Sequence, residues 1–589
     1  MRQAPGVLGR RFGELLVDVG LVQQDDVNRA LVEQEKSGRS LDEILISNGV
    51  LTEDALLSRV SEYLGIPSVD VTKLSPEPEA LRAVPVQLSL RYHVLPLAIS
   101  DGTLRVATAD PLNYTAFDDL RLVTKLEIEP VLAVSADIRD CLKRHFGIGA
   151  DTIDQLMRES GARDQKEEIE GEDLTEDATI IRFVNQIITE AINDRATDIH
   201  IEPFEEELRI RYRIDGILYE SPVPPSIRHY QSAVISRVKI MADMNIAEKR
   251  LPQDGRINFK LGGHEYDLRV STVPTPYDES LVLRILNRSS SIMQLEELGF
   301  EGDALALFKR MIDRPHGIIL VTGPTGSGKT TTLYAALDKL NSVERKIITI
   351  EDPIEYQMHG ITQIQVLPKI GLTFANVLRS LLRQDPDVML VGETRDHETA
   401  EITIRTALTG HLVFTTLHTN DAAGAVSRLL DMGVEPFLVA SSVIGIIAQR
   451  LVRRICPDCK EVYRPDKADL MALNMPREQW EGVTLCKGRG CESCKYLGYK
   501  GRIAIYEIIP MTDRLREMTV AKCSAAEIKK QAIANGMVTL RQYGWRKAKE
   551  GVTTLEEVMR VTQEDSFEDV EIFDNVLPDE GGSFRAVGD

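Results

Sequence analysis

A glycine-rich loop between a predicted strand and a predicted helix constrains this chain of 589 residues more than any other feature. The apolar run Ile318–Val321 leads into Gly-Pro-Thr-Gly-Ser-Gly-Lys-Thr, and a helix-like stretch follows. Glycines let backbone N–H groups surround a phosphate, Lys329 can reach the β- and γ-oxygens, and Thr330 can hold Mg²⁺. A glycine turn that binds nothing is the alternative. The segment predicts a nucleoside triphosphate site made of Gly323, Pro324, Thr325, Gly326, Ser327, Gly328, Lys329, Thr330 and Thr331.

The length and charge of the chain restrict its class. Its length exceeds what one hydrophobic core supports, so we expect about three or four domains. No segment approaches the ~18 uncharged apolar residues of a membrane span, and the N-terminus lacks the apolar core of a secretion signal. A net charge of −21 argues against coating nucleic acid, because phosphate neutralisation needs Lys and Arg. Much of the acidic charge lies at residues 164–177 and 564–580. The net charge therefore does not exclude a basic groove elsewhere in the chain. We expect a cytoplasmic protein that binds no nucleic acid.

The first sixty residues contain an internal repeat. Residues 11–22 align with residues 40–51 at one offset, which pairs Gly20 with Gly49. Each copy predicts a short helix that ends at glycine, followed by a second, amphipathic helix. We therefore expect a helical domain over residues 1–68.

Composition and periodicity divide the rest of the chain into further segments. Asp101-Gly102 suits a tight turn between two predicted strands. A helix is predicted at 180–195, and alternating strands follow it. The expected fold class is α/β and multidomain: the helical repeat, a small α/β domain at 69–147, an acidic linker at 148–177, an α+β (PAS-like) domain at 178–300, a RecA-like P-loop core at 301–565 with a zinc-binding insertion, and an acidic tail at 566–589.

Two further predicted strands end in carboxylates. An apolar strand that begins at Ile347 precedes Glu351, Asp352 and Glu355, and a second strand precedes Glu393. The carboxyl ends of strands are where α/β sheets bind ligands. P-loop enzymes ordinarily place an Asp at the position of Glu393 to hold Mg²⁺. The longer side chain predicts metal contact through water.

Two histidines flank a third predicted strand. His411 precedes the apolar run Leu412–Leu417, and His418 follows it. A histidine near the phosphates can sense the γ-phosphate. A structural or helix-capping role for either residue is the alternative.

Four of the seven cysteines form two CxxC pairs. Two such pairs give tetrahedral thiolate geometry for Zn²⁺ with no open position, which indicates a structural metal in a module at 455–500. A disulfide is the competing interpretation and is disfavoured in the cytosol. Cys486 lies five residues before the second pair and is excluded. The predicted ligands are Cys456, Cys459, Cys491 and Cys494.

These segments, in this order, resemble the Walker A, Asp box, Walker B and His box of the secretion ATPase superfamily, over roughly residues 69–565. The resemblance implies a RecA-like core that hydrolyses ATP with Mg²⁺ and carries a structural zinc. It makes Glu355 the general base that orients water and Glu393 the Walker B carboxylate. Lys329 and Thr330 then bind phosphate and Mg²⁺, and the two histidines occupy the His box.

The same resemblance assigns roles to five arginines. Arg269 and Arg284 match arginines of the preceding domain that meet nucleotide, and Arg379, Arg383 and Arg395 match positions at a ring interface. An arginine delivered to the γ-phosphoryl group contributes about 10³–10⁵ in rate. We expect a homohexamer in which domain closure brings Arg269 or Arg284 onto ATP. The alternative for each is a surface salt bridge.

The first repeat copy also resembles a cyclic di-GMP-binding motif found at the front of some of these ATPases. Arg11 and Gln34 are the candidate residues, and the guanidinium fork of Arg11 matches both guanine and phosphate. The second copy departs from the motif, with Ser40 and Tyr63 at the corresponding positions. Cyclic di-GMP binding and plain protein docking both remain open.

Within the superfamily, the runs Val434–Gly445 and Gln449–Arg453 resemble the type II secretion branch most. That implies an ATPase at the cytoplasmic face of the inner membrane that drives pseudopilus assembly. Its partners would be a membrane platform protein and, through the N-terminal domain, a membrane-anchored protein with a cytoplasmic domain. The alternatives are a type IV pilus extension motor, a nucleic-acid translocase and a nucleotide switch without turnover.

Overall fold

The computed structural model describes residues 5–37, 41–146, 173–287, 292–465 and 482–563. The chain divides into two units, residues 1–287 and 288–589, which are described separately below. The predicted acidic tail at 566–589 and most of the predicted linker, residues 148–172, lie outside the described residues. Among the described residues, no helix combines the length and apolar character needed to cross a bilayer.

The N-terminal repeat forms two helix pairs. Gly20 and Gly49 follow the first helix of each pair with φ angles of 76° and 70°, a conformation that glycine adopts at little cost because it lacks a Cβ. Leu16, Ile44 and Leu45 are buried in a shared apolar cluster. The arrangement predicted for both copies is confirmed by the helices Pro5–Asp18, Gln24–Ser37, Leu41–Ser47 and Glu53–Leu64.

A three-stranded sheet follows the repeat. Strands β1 (Val94–Ser100) and β2 (Thr103–Thr108) form an antiparallel hairpin around the predicted Asp101-Gly102 turn, and β3 (Glu127–Leu132) pairs with β2 in parallel. The Ser135 hydroxyl donates to the Asp42 carboxylate at 2.9 Å, which ties this domain to the helical repeat. The surrounding helices are Pro78–Ala83, Val86–Tyr92, Tyr114–Thr124 and Ser135–Phe146.

A six-stranded antiparallel sheet in the order β6-β5-β4-β9-β8-β7 completes the first unit. The preceding helix begins at Asp173, earlier than the predicted residue 180, because acidic residues near a helix N-terminus favour the helix rather than a linker. A second helix spans Gln231–Met241. The strands are β4 (Ala196–Pro203), β5 (Leu208–Ile214), β6 (Ile217–Ser221), β7 (Gln253–Leu261), β8 (His264–Thr275) and β9 (Asp278–Asn287).

The second unit is built on a seven-stranded sheet in the order β12-β11-β13-β14-β10-β15-β18, with every neighbouring pair parallel except β15 and β18. Strands β16 and β17 form a separate hairpin. The strands are β10 (Gly317–Thr322), β11 (Ile347–Glu351), β12 (Thr362–Gln365), β13 (Val388–Val391), β14 (Leu412–Leu417), β15 (Val443–Ile455), β16 (Lys460–Tyr463), β17 (Leu485–Gly488) and β18 (Tyr499–Pro510).

The central strands are mostly apolar because both of their faces are buried. Every residue of β10, β11, β13 and β14 is buried, as expected for a parallel sheet covered on both faces. The carboxyl ends of these four strands meet at one edge, where the glycine-rich loop follows β10, Glu393 follows β13 and His418 follows β14. The helices of this unit are Gly302–Ile312, Lys329–Leu340, Phe374–Leu381, His397–Leu408, Ala423–Asp431, Pro436–Ser442, Asp513–Val520, Ala525–Ala534, Leu540–Lys549 and Leu555–Val561.

Candidate nucleotide site and metal centre

The glycine-rich loop leaves β10 and enters the helix Lys329–Leu340, the strand–loop–helix order predicted from the sequence. Gly323 and Gly328 have φ angles of 151° and 87°. A Cβ at Gly323 would lie 2.6 Å from the Ser327 hydroxyl oxygen, and one at Gly328 would lie 2.8 Å from the Gln449 side-chain nitrogen. The loop is therefore closed too tightly for side chains at these two positions. Pro324 and Thr330 are exposed to solvent.

The polar groups of this loop suit an anionic ligand. The Lys329 ammonium donates to the carbonyl oxygens of Gly323 at 2.8 Å and Pro324 at 3.0 Å. Burial lowers the pKa of Lys329 to about 8, Glu393 opposes this shift, and Arg450 adds to it. The Ser327 hydroxyl is buried and has no hydrogen-bond partner among the described residues. A cation and an unpaired hydroxyl thus stand beside backbone N–H groups, which fits a polyphosphate.

Strand β15 braces the loop through Gln449, a residue that sequence reasoning missed. Its amide nitrogen donates to the Ser327 carbonyl at 2.8 Å, and its amide oxygen accepts from the Thr332 hydroxyl at 2.8 Å. The neighbouring Arg450 is also buried and donates to the Asn420 carbonyl at 2.8 Å. A Gln-Arg pair that interrupts the apolar run from Val443 to Val452 is the signal that identifies such residues, because buried polar groups require partners.

Glu351, the last residue of β11, and Glu355, which follows the strand, both contact Tyr334. The Glu351 carboxylate is buried and accepts hydrogen bonds from the hydroxyls of Tyr334 and Thr349 and from the Gln363 amide. It therefore braces the sheet edge. The backbone N–H of Glu355 donates to the Tyr334 hydroxyl at 3.4 Å, which places Glu355 beside the helix that follows the phosphate loop.

Four charged or titratable groups meet at the carboxyl edge of the sheet. The Glu393 carboxylate lies 2.5 Å from an Arg395 guanidinium nitrogen and 3.6 Å from Nε2 of His418. Burial lowers the pKa of His418, Lys329 lowers it further, and Glu393 opposes the change. The predicted residues Lys329, Glu393, Arg395 and His418 therefore interact, and the neutral imidazole is favoured.

His411 lies at the opposite end of β14 from His418. Its Nδ1 lies 2.9 Å from the Thr406 carbonyl oxygen and 3.1 Å from the Thr409 hydroxyl. The intervening strand separates the two histidines by about 23 Å, at about 3.3 Å per residue. The structure does not bring His411 to the phosphate loop, and its contacts cap the end of a helix.

The predicted arginines divide between the two units. Arg379 forms an ion pair with Glu398, and the Arg383 guanidinium donates to the Arg379 carbonyl at 3.2 Å. Both lie near the surface of the second unit. Arg269 and Arg284 lie in the first unit, directly opposite each other on β8 and β9.

The four predicted cysteine ligands form one cluster, with all sulfurs within 4.8 Å of one another. The sulfur–sulfur distances are 3.8 Å for Cys456–Cys491 and Cys459–Cys494, and 3.7 Å for Cys491–Cys494. Four sulfurs held about 2.3 Å from a central Zn²⁺ would be about 3.8 Å apart, so the cluster fits the ion. All seven cysteines are free, and Cys486 lies on β17 outside the cluster. This geometry favours zinc over the disulfide interpretation.

Of the two candidate cyclic di-GMP residues, one can be described. The side-chain oxygen of Gln34 is buried and has no hydrogen-bond partner among the described residues. The side chain of Arg11 lies outside the described part of the chain.

Two protein families match this chain. The type II/IV secretion system protein family matches residues 173–560. The MshEN domain matches residues 64–152, a segment that begins after both Arg11 and Gln34. The first match spans both the six-stranded sheet and the nucleotide site.

Curated relatives align over nearly the whole chain. The type IV pilus assembly ATPase PilB of Myxococcus xanthus is 45% identical over 565 residues, 95% of this chain and 100% of that protein. The type II secretion system protein E of Xanthomonas campestris is 44% identical over 560 residues, 94% of this chain and 98% of that one. The Pseudomonas aeruginosa type II secretion system protein E is 51% identical over 399 residues, 67% of this chain and 78% of that one. This chain therefore belongs to the type II/IV secretion ATPase family, P-loop enzymes that hydrolyse ATP to power type II secretion or type IV pilus assembly.

Proposed function

We propose that this chain is the motor ATPase of a type II secretion system and drives pseudopilus assembly and protein export. The contact of Glu393 with His418, next to the phosphate-loop lysine, is the observation that supports turnover most directly. The choice of secretion is supported by the runs Val434–Gly445 and Gln449–Arg453. The 51% identity to the Pseudomonas protein supports it further.

The catalytic roles proposed for the site follow from its chemistry. Lys329 and the loop N–H groups hold the phosphates, and the unpaired Ser327 hydroxyl lies in the same loop. Thr330 and, through water, Glu393 would hold Mg²⁺, which neutralises charge on the phosphates when bound. Glu355 orients the attacking water as general base. The neutral His418 imidazole contacts Glu393 and would sense whether the γ-phosphate is present.

The active assembly is proposed to be a homohexamer. Arg379, Arg383 and Arg395 would lie at its interfaces, and Arg269 or Arg284 would reach ATP from another subunit or a closed state. A cation at that point stabilises charge that develops on the transferred phosphoryl group. Slow hydrolysis by a monomer is the expected consequence.

The remaining elements have structural or docking roles in this proposal. The four clustered cysteines hold one zinc ion that secures the β16–β17 hairpin. The N-terminal domain docks a membrane-anchored partner, and the core acts on a platform protein at the cytoplasmic face of the inner membrane. Cyclic di-GMP binding at Arg11 and Gln34 is proposed as a regulatory input, and nucleic acid is not a ligand.

A type IV pilus extension motor is the second candidate function. Identity to the Myxococcus pilus assembly ATPase over that protein's full length favours it. Deletion of the gene in its native bacterium, with complementation by wild-type and Lys329→Ala forms, separates the two. Loss of exported proteins with surface pili intact supports secretion. Loss of pili with export intact contradicts it and establishes pilus assembly.

A further inference from the structure

The six-stranded sheet carries a line of charged residues across five neighbouring strands. The register places Asp198 of β4 opposite Arg213 of β5 and Arg284 of β9. Arg284 is in turn opposite Arg269 of β8, and Arg269 is opposite Arg256 of β7. Adjacent strands are about 4.8 Å apart, and like charges directly opposite each other destabilise a sheet. Asp198 is the one carboxylate in this line of four arginines, so its charge strongly affects the orientation of the guanidinium groups next to it.

Asp198 is fixed in place by its own contacts. Only 7% of the residue is exposed. One carboxylate oxygen accepts from Nε of Arg284 at 3.0 Å, and the other accepts from the Thr197 hydroxyl at 2.8 Å. The second oxygen also lies 3.6 Å from Nε of Arg213. Both oxygens are thus engaged, and the carboxylate has one orientation.

Arg284, in contrast, is held at one atom and remains accessible. Its side chain is 54% exposed although its partner is buried. Within the described residues, its two terminal nitrogens donate no hydrogen bond, so the planar fork that recognises phosphate stays available. An arginine anchored through Nε has a fixed side-chain orientation and can still bind an anion through its two terminal guanidinium nitrogens.

We propose that Asp198 is a positioning residue that presents the Arg284 fork to the terminal phosphates of ATP. This inference rests on the proposed function, in which Arg284 meets nucleotide. Without the carboxylate, Arg284 is repelled by Arg269 on β8 and by Arg213 on the far side of β4, and it loses its fixed direction. A misplacement of about 1 Å at a group that acts on the transition state costs up to about a hundredfold in rate.

A double-mutant cycle on the full chain under ring-assembly conditions tests the proposal. Asp198→Asn should lower kcat about ten- to a hundredfold and leave KM for ATP within about threefold. In an Arg284→Ala background the same change should have no further effect on kcat, because Asp198 acts through Arg284. Glu202→Gln is the matched control. Glu202 lies on the same strand and pairs with Arg211 at 2.7 Å, outside the line, so kcat should stay within about twofold of wild type.

The variants distinguish the positioning role of Asp198 from the contact of Arg284 with ATP. Wild-type kcat in Asp198→Asn, or an equal loss of kcat in the Arg284→Ala background, overturns the positioning role. Wild-type turnover by Arg284→Ala alone refutes the proposed role of Arg284 instead. Should Asp198→Asn fail to fold, Thr197→Val decides the matter. It removes one anchor of Asp198 and should lower kcat severalfold only when Arg284 is present, and no change in kcat overturns the inference.

Discussion

The low pKa of Lys329 predicts that nucleotide affinity depends on pH in a range where an ordinary lysine would have no effect. Burial places this pKa at about 8 in the nucleotide-free protein. About 90% of the side chain is then protonated at pH 7, but only about 10% at pH 9. Phosphate binds the charged form, so affinity should fall about tenfold between these values, or about 1.4 kcal/mol.

The sign of the effect follows from which state binds the proton. Above pH 8 the free protein carries mostly neutral Lys329, and bound phosphate favours the ammonium. Binding at pH 8 should therefore take up about half a proton. A lysine with the usual pKa of about 10.4 stays charged throughout and takes up almost none.

Calorimetry with a non-hydrolysable ATP analogue at pH 7, 8 and 9 measures both quantities. Titrations in two buffers of different ionisation enthalpy give the number of protons taken up. Lys329→Gln should bind more weakly and lose the pH dependence. Lys339→Gln removes an exposed lysine from the last turn of the same helix and should keep the wild-type profile. Affinity that is flat from pH 7 to pH 9, or the same decline in Lys329→Gln, would show that protonation of Lys329 does not control nucleotide binding.

Gln449, the cysteine cluster and Glu557 each stabilise a part of the second unit. Gln449→Leu should lower the free energy of unfolding by about 2–4 kcal/mol, because the Ser327 carbonyl and the Thr332 hydroxyl lose their buried partner. Chemical denaturation measures this change in the free energy of unfolding, and a decrease of less than about 0.5 kcal/mol would contradict a stabilising role for Gln449. Metal analysis should find one zinc per chain in wild type and in the control Cys486→Ser, and less zinc in Cys491→Ser. An unchanged zinc content in Cys491→Ser would exclude the four-cysteine cluster as the zinc site. Burial would raise the pKa of Glu557, but Arg560 and Arg453 outweigh it and lower the pKa to about 2, so this carboxylate contributes stability above about pH 4.5 that is lost as pH falls toward 2. Acid titration of Glu557→Gln should lack that part of the loss, and a profile identical to wild type counts against it.

Sequence alone predicts those parts of the site that are local in the chain. The phosphate loop can be predicted because an apolar strand, glycines, Lys329 and a helix follow one another in the order that phosphate binding requires. The CxxC pairs are readable for the same reason, since two short spacings determine the sulfur positions within each pair. Glu393 and His418 are readable because each follows a buried strand whose carboxyl end lies at the binding edge.

Other features depend on strand order and register, which no local pattern encodes. His411 belongs to the same motif as His418, yet the strand between them places the two at opposite edges of the sheet. Gln449 follows Ser327 by more than a hundred residues and meets it because β15 pairs with β10. Asp198 meets Arg284 for the same kind of reason. Such contacts become visible only when the pairing of strands is known.

ATP should bind at the phosphate loop, and a nearby carboxylate should enable its hydrolysis. The most direct test measures nucleotide binding and phosphate release for the assembled full chain, for Lys329→Ala and for Glu355→Gln. Wild type should hydrolyse ATP only with Mg²⁺, Lys329→Ala should lose binding, and Glu355→Gln should bind ATP normally while turnover falls about 10²–10⁴-fold. Equal rates of phosphate release from all three proteins would show that neither Lys329 nor Glu355 takes part in hydrolysis.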